Sequence, residues 1–157
     1  MPGTTKNEVA QATPMDLAIN NKFIDQLGTQ LREKEKSTRE YIALAKKVHT
    51  LTLKYNVPLI IDDRVDVVMA TDAEGVHLGQ SDMPVDVARK ILGKNKIIGA
   101  TAKTVEQAIE AYEMGADNLG VGAIYPTTTK VKTIITPVET LRNIVRAVPI
   151  PVNAIGG

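Results

Sequence analysis

The stretch Gly75-Val-His-Leu-Gly-Gln-Ser-Asp-Met-Pro84 contains, in order, the parts of the unit that decides the fold. Residues 75–79 form a short apolar run between glycines, which is typical of a buried β-strand. Gln80 and Asp82 follow this run at once, and Pro84 has the fixed backbone angle that favours the first turn of a helix. The helical pattern then continues to Leu92. A strand, a polar loop and a helix therefore follow one another directly.

The same unit recurs on both sides of this stretch. Helical patterns separate further strand-like runs, which lie at residues 58–61, 97–100, 119–124 and 151–155. Ser37 and Glu40 predict a capping box at the start of one helix, and Thr104 with Gln107 predicts the start of another. Alternating strands and helices predict parallel βα units, so the predicted fold class is α/β. A barrel and an open doubly wound sheet both fit this pattern.

Three of the helical patterns have marked apolar positions. These are Tyr41, Leu44, Ala45, Val48 and Leu51 in the first, Val105, Ala108, Ile109 and Tyr112 in the second, and Leu141, Ile144 and Val145 in the third. We expect the last set to face inward, because the spacing matches one side of a helix.

Composition excludes several classes of protein. The 157 residues are 43% hydrophobic and 24% charged, which suits one globular domain at residues 16–157 after a disordered lead-in at residues 1–15. Cysteine is absent, so disulfides and thiolate metal sites are excluded. With a net charge of +1 and a single phenylalanine, we expect no nucleic-acid partner. We also expect a cytoplasmic protein without membrane association, because no apolar run approaches ~20 residues and no secretory pattern is present.

The two histidines, His49 and His77, are too few and too far apart in the sequence for a histidine-rich metal site. His77 lies in the middle of a predicted strand, between Val76 and Leu78. We therefore expect His77 to be a core histidine rather than a catalytic group.

Polar groups recur directly after the strand-like runs. They are Arg32 and Lys34, Asp62 and Asp63, Gln80 and Asp82, Thr101, the run from Thr127 to Lys130, and Gly156 with Gly157. Because the carboxyl ends of parallel strands open on one face of the sheet, we expect these groups to converge there. The sequence thus predicts a site for an anion or a metal at this face.

Asp63 and Asp82 could hold one Mg²⁺, since this ion takes one or two protein carboxylates together with waters and phosphate oxygens. The alternative for Asp82 is to cap the helix that follows Pro84. Residues 126–130, Pro-Thr-Thr-Thr-Lys, form either a phosphate cradle or a solvated turn. Arg32 and Lys34 either neutralise a diphosphate or belong to a solvated face.

Several motifs together resemble the thiamine-phosphate synthase family. They are Gln-Leu-Arg-Glu-Lys (30–34), Ile-Asp-Asp-Arg-Val-Asp (61–66), the stretch quoted above (75–84), Gly-Val-Gly-Ala-Ile-Tyr-Pro-Thr-Thr-Thr-Lys (120–130) and Ala-Ile-Gly-Gly (154–157). The resemblance implies a (β/α)₈ TIM barrel in which the first and last strands are missing here, so that six strands remain. Exposed strand edges of this kind could make a homo-oligomer.

The resemblance also implies a transferase that couples hydroxymethylpyrimidine diphosphate to thiazole phosphate and releases pyrophosphate. The substrates are thus small phosphorylated molecules. Mg²⁺ would be bound by Asp63 and Asp82, and Arg32, Lys34 and Lys130 would be the catalytic cations. The implied substrate-binding positions are Gln30, Leu31, Arg32, Glu33, Lys34, Asp62, Thr101, Thr127, Thr128, Thr129, Lys130 and Gly157.

This chain departs from the family pattern at several positions. The family has asparagine at the position of Asp62, serine at Thr101 and histidine at Lys103, and its loop at residues 131–136 is more charged. Two other functions therefore stay open. One is a non-catalytic homologue that binds phosphate or partner chains. The other is the related thiazole tautomerase, although the threonine run and the Asp63/Asp82 pair favour the synthase.

Overall fold

Residues 29–126 and 134–156 are described by a computed structural model. They contain six parallel strands in one sheet, which curls into a half-barrel. The strands are β1 Thr29–Leu31, β2 Leu59–Asp62, β3 Gly75–Leu78, β4 Ile97–Thr101, β5 Asn118–Gly122 and β6 Val152–Ile155. Their order in the sheet is their order in the chain. A doubly wound sheet reverses its strand order at a switch point, so the unbroken order favours the barrel type.

Strands β2 to β6 lie where the apolar runs predicted them, with ends that shift by one or two residues. Strand β1 is different, because its Thr-Gln-Leu sequence contains no apolar run. Its pairing with β2 defines it instead, with Thr29 opposite Leu59 and Leu31 opposite Ile61.

Five helices connect the strands within the described residues: α1 Thr38–Lys54, α2 Val65–Thr71, α3 Val85–Leu92, α4 Val105–Glu113 and α5 Val138–Ala147. The capping box at the start of α1 is confirmed. The Ser37 hydroxyl accepts a bond from the Glu40 N–H at 3.3 Å, and the Glu40 carboxylate accepts one from the Ser37 N–H at 2.9 Å. The Thr104 hydroxyl likewise accepts a bond from the Gln107 N–H at the start of α4.

The inward position predicted for Val145 is wrong. Its side chain is 52% exposed, whereas Ile144 is fully buried and Val148 is 7% exposed. The buried side of α5 follows positions 141, 144 and 148, and Val145 lies beside this row. Ile109 and Tyr112 of α4 are also more than a third exposed, because this helix packs through the small side chains of Ala108 and Ala111.

The hydrophobic core lies between the sheet and the helices. One face of the strands contributes Ile61, Val76, Leu78, Ile98, Ala100, Leu119 and Val121, all buried. Tyr41 and Ala45 of α1 and Ile144 of α5 pack against them from the helix side. Side chains alternate between the two faces of a strand, so the residues between these core positions face the inside of the half-barrel.

That inner face is polar near the carboxyl ends of the strands. Residues opposite one another in neighbouring parallel strands lie on the same face, and the register pairs Asp62 with His77, His77 with Gly99, and Gly99 with Asn118. The core position expected for His77 is therefore wrong. Its flanking residues Val76 and Leu78 belong to the hydrophobic core, and His77 points to the opposite face.

Candidate active site

The turn after β2 presents Asp63 at the carboxyl end of the sheet. Its φ of 68° lies in the left-handed region, which aspartate adopts more readily than most residues. The Asp63 N–H donates to the carbonyl of His77 at 2.9 Å, which ties the turn to β3. Such backbone strain is often retained where a side chain has to point in a particular direction.

Asp63 and Asp82 form a carboxyl pair. Burial raises the pKa of Asp63, and two effects of Asp82 raise it further: its carboxylate accepts a hydrogen bond from protonated Asp63, and its negative charge disfavours the ionised form of Asp63. Arg32 and Lys34 lower the same pKa by their positive charges. The structure therefore brings together both carboxyls and both cations that the strand-end pattern singled out.

Asp82 is held in place by the turn after β3. Its Oδ2 atom accepts a hydrogen bond of 2.7 Å from the Gly79 N–H, and a Cβ atom on Gly79 would lie only 2.8 Å from the same oxygen. Asp82 does not cap the next helix, because Pro84 occupies the N-cap position of α3 without a side-chain hydrogen bond. Helix capping therefore does not explain where this carboxylate lies.

Arg32 and Lys34 come directly after β1. Both side chains are exposed, yet their charges act on the Asp63 carboxyl. Both cations therefore lie within electrostatic range of the Asp63 carboxyl.

Tyr41 of α1 joins the ends of β1 and β2. Its side chain is fully buried, and its hydroxyl donates to the carbonyl of Leu31 at 2.7 Å and lies 3.4 Å from the carbonyl of Asp62. Burial, followed by the charges of Asp62 and Asp63, raises the pKa of this hydroxyl, so it keeps its proton. The loop that begins after β1 is therefore fixed relative to β2.

The remaining predicted residues of this segment differ in their surroundings. Gln30 is exposed and lies opposite Ile60, on the inner face. Leu31 packs against the hydrophobic core on the other face, so a contact from Leu31 to a ligand has to come from its backbone. Glu33 and Asp62 are half-buried, and the register places Asp62 beside His77.

Thr101 ends β4 and has two polar neighbours. Its hydroxyl oxygen lies 2.9 Å from Nε2 of His77, and its carbonyl accepts a bond of 2.6 Å from the Gln80 side chain. His77 is a residue that the sequence reasoning did not assign to the site. The two-residue alternation of β3 was the available signal, since it separates His77 from the core positions Val76 and Leu78.

Several predicted residues lie outside the described part of the chain. They are Thr127, Thr128, Thr129, Lys130 and Gly157, and the predicted lead-in at residues 1–15 also lies outside it. Thr136 follows the undescribed residues 127–133 and is buried. Its N–H donates to the carbonyl of Ala123 at 2.7 Å.

The model of the thiamine monophosphate synthase family matches residues 24–157. This chain belongs to that family. A thiamine-phosphate synthase from Caldanaerobacter subterraneus subsp. tengcongensis is 52% identical over 150 residues, which are 96% of this chain and 68% of the relative. Thiamine-phosphate synthase 2 of Streptococcus pneumoniae is 58% identical over 128 residues, which are 82% of this chain and 61% of the relative.

A solved structure supports the same assignment to the thiamine monophosphate synthase family. A thiamine phosphate pyrophosphorylase from Pyrococcus furiosus matches with a TM-score of 0.72 at 47% identity, covering 82% of this chain and 61% of that one. The chain thus spans about three fifths of the length of most relatives that we compared. None of the helices within residues 29–126 and 134–156 has the length and apolar character of a membrane span.

The carboxyl pair of this family member fits a magnesium ion rather than a closed, all-protein metal site. In the described ranges, no group of three or more His, Asp or Glu side chains could hold a metal. Mg²⁺ typically takes only one or two carboxylates and keeps waters and phosphate oxygens as its other ligands. The negative charge of Asp82 raises the pKa of Asp63, and a bound dication would balance this negative charge.

Proposed function

We propose that this protein is a thiamine-phosphate synthase, which joins hydroxymethylpyrimidine diphosphate to thiazole phosphate and releases pyrophosphate. Family membership supports the reaction class. The observation that carries the proposal is the Asp63/Asp82 pair at the ends of neighbouring strands, with Arg32 and Lys34 in electrostatic range. We further propose that the six described strands belong to a (β/α)₈ barrel, in which such strand ends form the active site.

Asp63 and Asp82 would hold the Mg²⁺ ion. When bound, the ion would neutralise negative charge on the diphosphate group. Arg32 and Lys34 would bind the same group from the β1 side. The leaving group would thus lie between the metal, which the two carboxylates hold, and the two cationic side chains, which contact the phosphate oxygens.

The reaction breaks the bond between the pyrimidine methylene carbon and the diphosphate oxygen. The thiazole nitrogen then forms the new bond to this carbon, and the diphosphate leaves with the electron pair. Negative charge therefore builds up on the diphosphate, where Arg32, Lys34 and Lys130 would stabilise it. Because the protein forms no bond to either substrate, it acts by orienting the two rings and stabilising the departing charge.

The other residues would complete the two binding sites. Gln30 to Lys34, Asp62 and Thr101 would surround the pyrimidine diphosphate. Thr127, Thr128, Thr129 and Gly157 would contact the phosphate of the thiazole. Hydroxyl and backbone N–H donors suit a phosphate group, because its oxygens only accept hydrogen bonds.

The first test is a calorimetric titration of the protein with hydroxymethylpyrimidine diphosphate, with and without Mg²⁺. We expect binding that needs Mg²⁺, followed by formation of thiamine phosphate when thiazole phosphate is added. No binding at near-millimolar ligand would overturn the proposal, and so would binding without coupling.

A pair of variants tests the role of the cations. Arg32→Gln should lower the rate of thiamine phosphate formation by roughly 10²-fold, because it removes a positive charge beside the leaving group. Arg146→Gln is the matched control, since Arg146 lies exposed in the last turn of α5, at the opposite end of the sheet. Equal rates for the two variants would contradict the assignment of Arg32.

A further inference from the structure

The imidazole of His77 reaches across the inner face of the sheet. His77 lies in β3 opposite Gly99 of β4, but its Nε2 atom contacts the hydroxyl of Thr101, two residues further along β4, at 2.9 Å. The ring is therefore directed towards the carboxyl end of the neighbouring strand, where the candidate active site lies.

Two glycines leave the space that the ring occupies. A Cβ atom at Gly99 would lie 2.7 Å from Nδ1 of His77, and one at Gly120 of β5 would lie 3.1 Å from Cε1. Real Cβ atoms do not approach other atoms as closely as 2.7 Å, so a side chain at Gly99 would displace the ring. The position of His77 thus depends on glycine in one neighbouring strand and is closely bounded by glycine in the next.

The backbone of Thr101 is fixed separately. Its carbonyl accepts a hydrogen bond of 2.6 Å from Nε2 of Gln80, a residue of the turn that follows β3. With the backbone held in this way, χ1 is the remaining freedom that determines where the hydroxyl points. The contact with His77 restricts this torsion angle.

We infer that His77 is a positioning residue, which orients the hydroxyl of Thr101 towards the phosphorylated pyrimidine substrate. This inference rests on the proposed function, in which Thr101 binds that substrate. A diphosphate accepts hydrogen bonds and donates none, so the Thr101 hydroxyl has to donate its proton to it. Its oxygen then accepts from His77, which requires a proton on Nε2 of the imidazole.

A double-mutant cycle tests the inference by titration of hydroxymethylpyrimidine diphosphate in the presence of Mg²⁺. His77→Ala and Thr101→Val should each weaken binding by about tenfold, the usual effect of losing one hydrogen bond to a charged group. The double variant should bind no more weakly than Thr101→Val alone, because the inferred effect of His77 on the ligand passes through that hydroxyl. His77→Gln should restore affinity to within about threefold of the wild type, since its amide can reach the position of Nε2.

Two further measurements separate positioning from a general structural role. Thermal unfolding of each variant shows whether it folds, and His77→Gln serves if His77→Ala does not. The ¹⁵N spectrum of the His77 ring in the ligand complex should show a protonated Nε2. An unprotonated Nε2 would overturn the inference.

The outcomes also separate this inference from the proposed function. A wild-type protein that binds no pyrimidine diphosphate overturns both. A wild type that binds, together with unchanged affinity in a folded His77→Ala variant or with additive losses in the double variant, overturns only the role of His77.

Discussion

Replacing Asp82 by asparagine should make the folded protein more stable and less able to bind its ligand. The change removes one charge from the carboxyl pair and keeps the shape of the side chain. The asparagine oxygen can still accept the hydrogen bond that the Gly79 N–H donates to Asp82 at 2.7 Å. The main difference is therefore the loss of repulsion between Asp82 and Asp63.

The size of the gain follows from the surroundings of the pair. Two like charges about 4 Å apart repel by about 4 kcal/mol at an effective dielectric constant of ~20. Arg32 and Lys34 offset part of this repulsion, and solvent screens a pair that is only half-buried. We therefore expect a net gain of about 1 kcal/mol in the free energy of unfolding, or about 3 °C in the melting temperature of a domain of this size.

The gain should depend on pH in a definite direction. The pKa of Asp63 in the folded protein is raised above its ordinary value, so its charged form destabilises the fold at pH values above that raised pKa. As the pH falls through the raised pKa, Asp63 of the wild type takes up a proton and the repulsion disappears. The advantage of Asp82→Asn should consequently be largest near neutral pH and shrink in acid.

Thermal unfolding at several pH values checks this reasoning, with Asp86→Asn as the matched control. Asp86 lies on α3 and faces Lys90 at 3.6 Å, so its replacement removes an attraction and should slightly lower the melting temperature. Asp82→Asn should also remove the Mg²⁺ dependence of diphosphate binding. An Asp82→Asn protein that melts below the wild type at neutral pH would refute the argument from repulsion.

Two further changes test how the sheet and its strand ends are held. Gly122→Ala should lower stability by about 2 kcal/mol, because its Cβ would overlap the carbonyl oxygen of Ile155 in β6. Gly93→Ala is the control, since its φ of 76° strains an alanine but no atom lies within 4 Å of the added Cβ. Chemical denaturation should show a smaller loss in the free energy of unfolding for this control, about 1 kcal/mol. Tyr41→Phe should lower the free energy of unfolding, measured in urea, by about 1–2 kcal/mol, because the carbonyl at the end of β1 loses its hydrogen-bond donor. The exposed Tyr55→Phe is the control. Equal stability of the two variants would contradict the role of Tyr41 in holding the strand ends.

Most of the fold could be predicted because its strands are apolar runs bounded by loops. The exception is β1, where pairing with β2 and not composition makes the strand. The inner sides of the helices were harder to predict, as Val145 shows, because a single helix allows more than one apolar row and packing decides which row is buried.

For the candidate site, the convergence of Asp63 and Asp82 could be predicted, since the ends of parallel strands meet on one face. The choice between metal binding and helix capping for Asp82 could not, because both need a carboxylate just before a helix. The structure excludes the cap, because Pro84 is the N-cap residue of α3 and the Asp82 carboxylate accepts its bond from the Gly79 N–H instead. His77 was missed because apolar neighbours on both sides suggest burial in a short strand, although the two-residue alternation places His77 on the opposite face from Val76 and Leu78.

The order of the strands has a consequence for how the sheet assembles. Each of the strands β2 to β6 pairs with the strand that precedes it in the chain. During synthesis, earlier strands leave the ribosome first, and only one helix with its flanking loops separates each new strand from its partner in the sequence. The partner of each strand from β2 to β6 has therefore already been synthesised when that strand appears, so the sheet can form one strand at a time on the nascent chain.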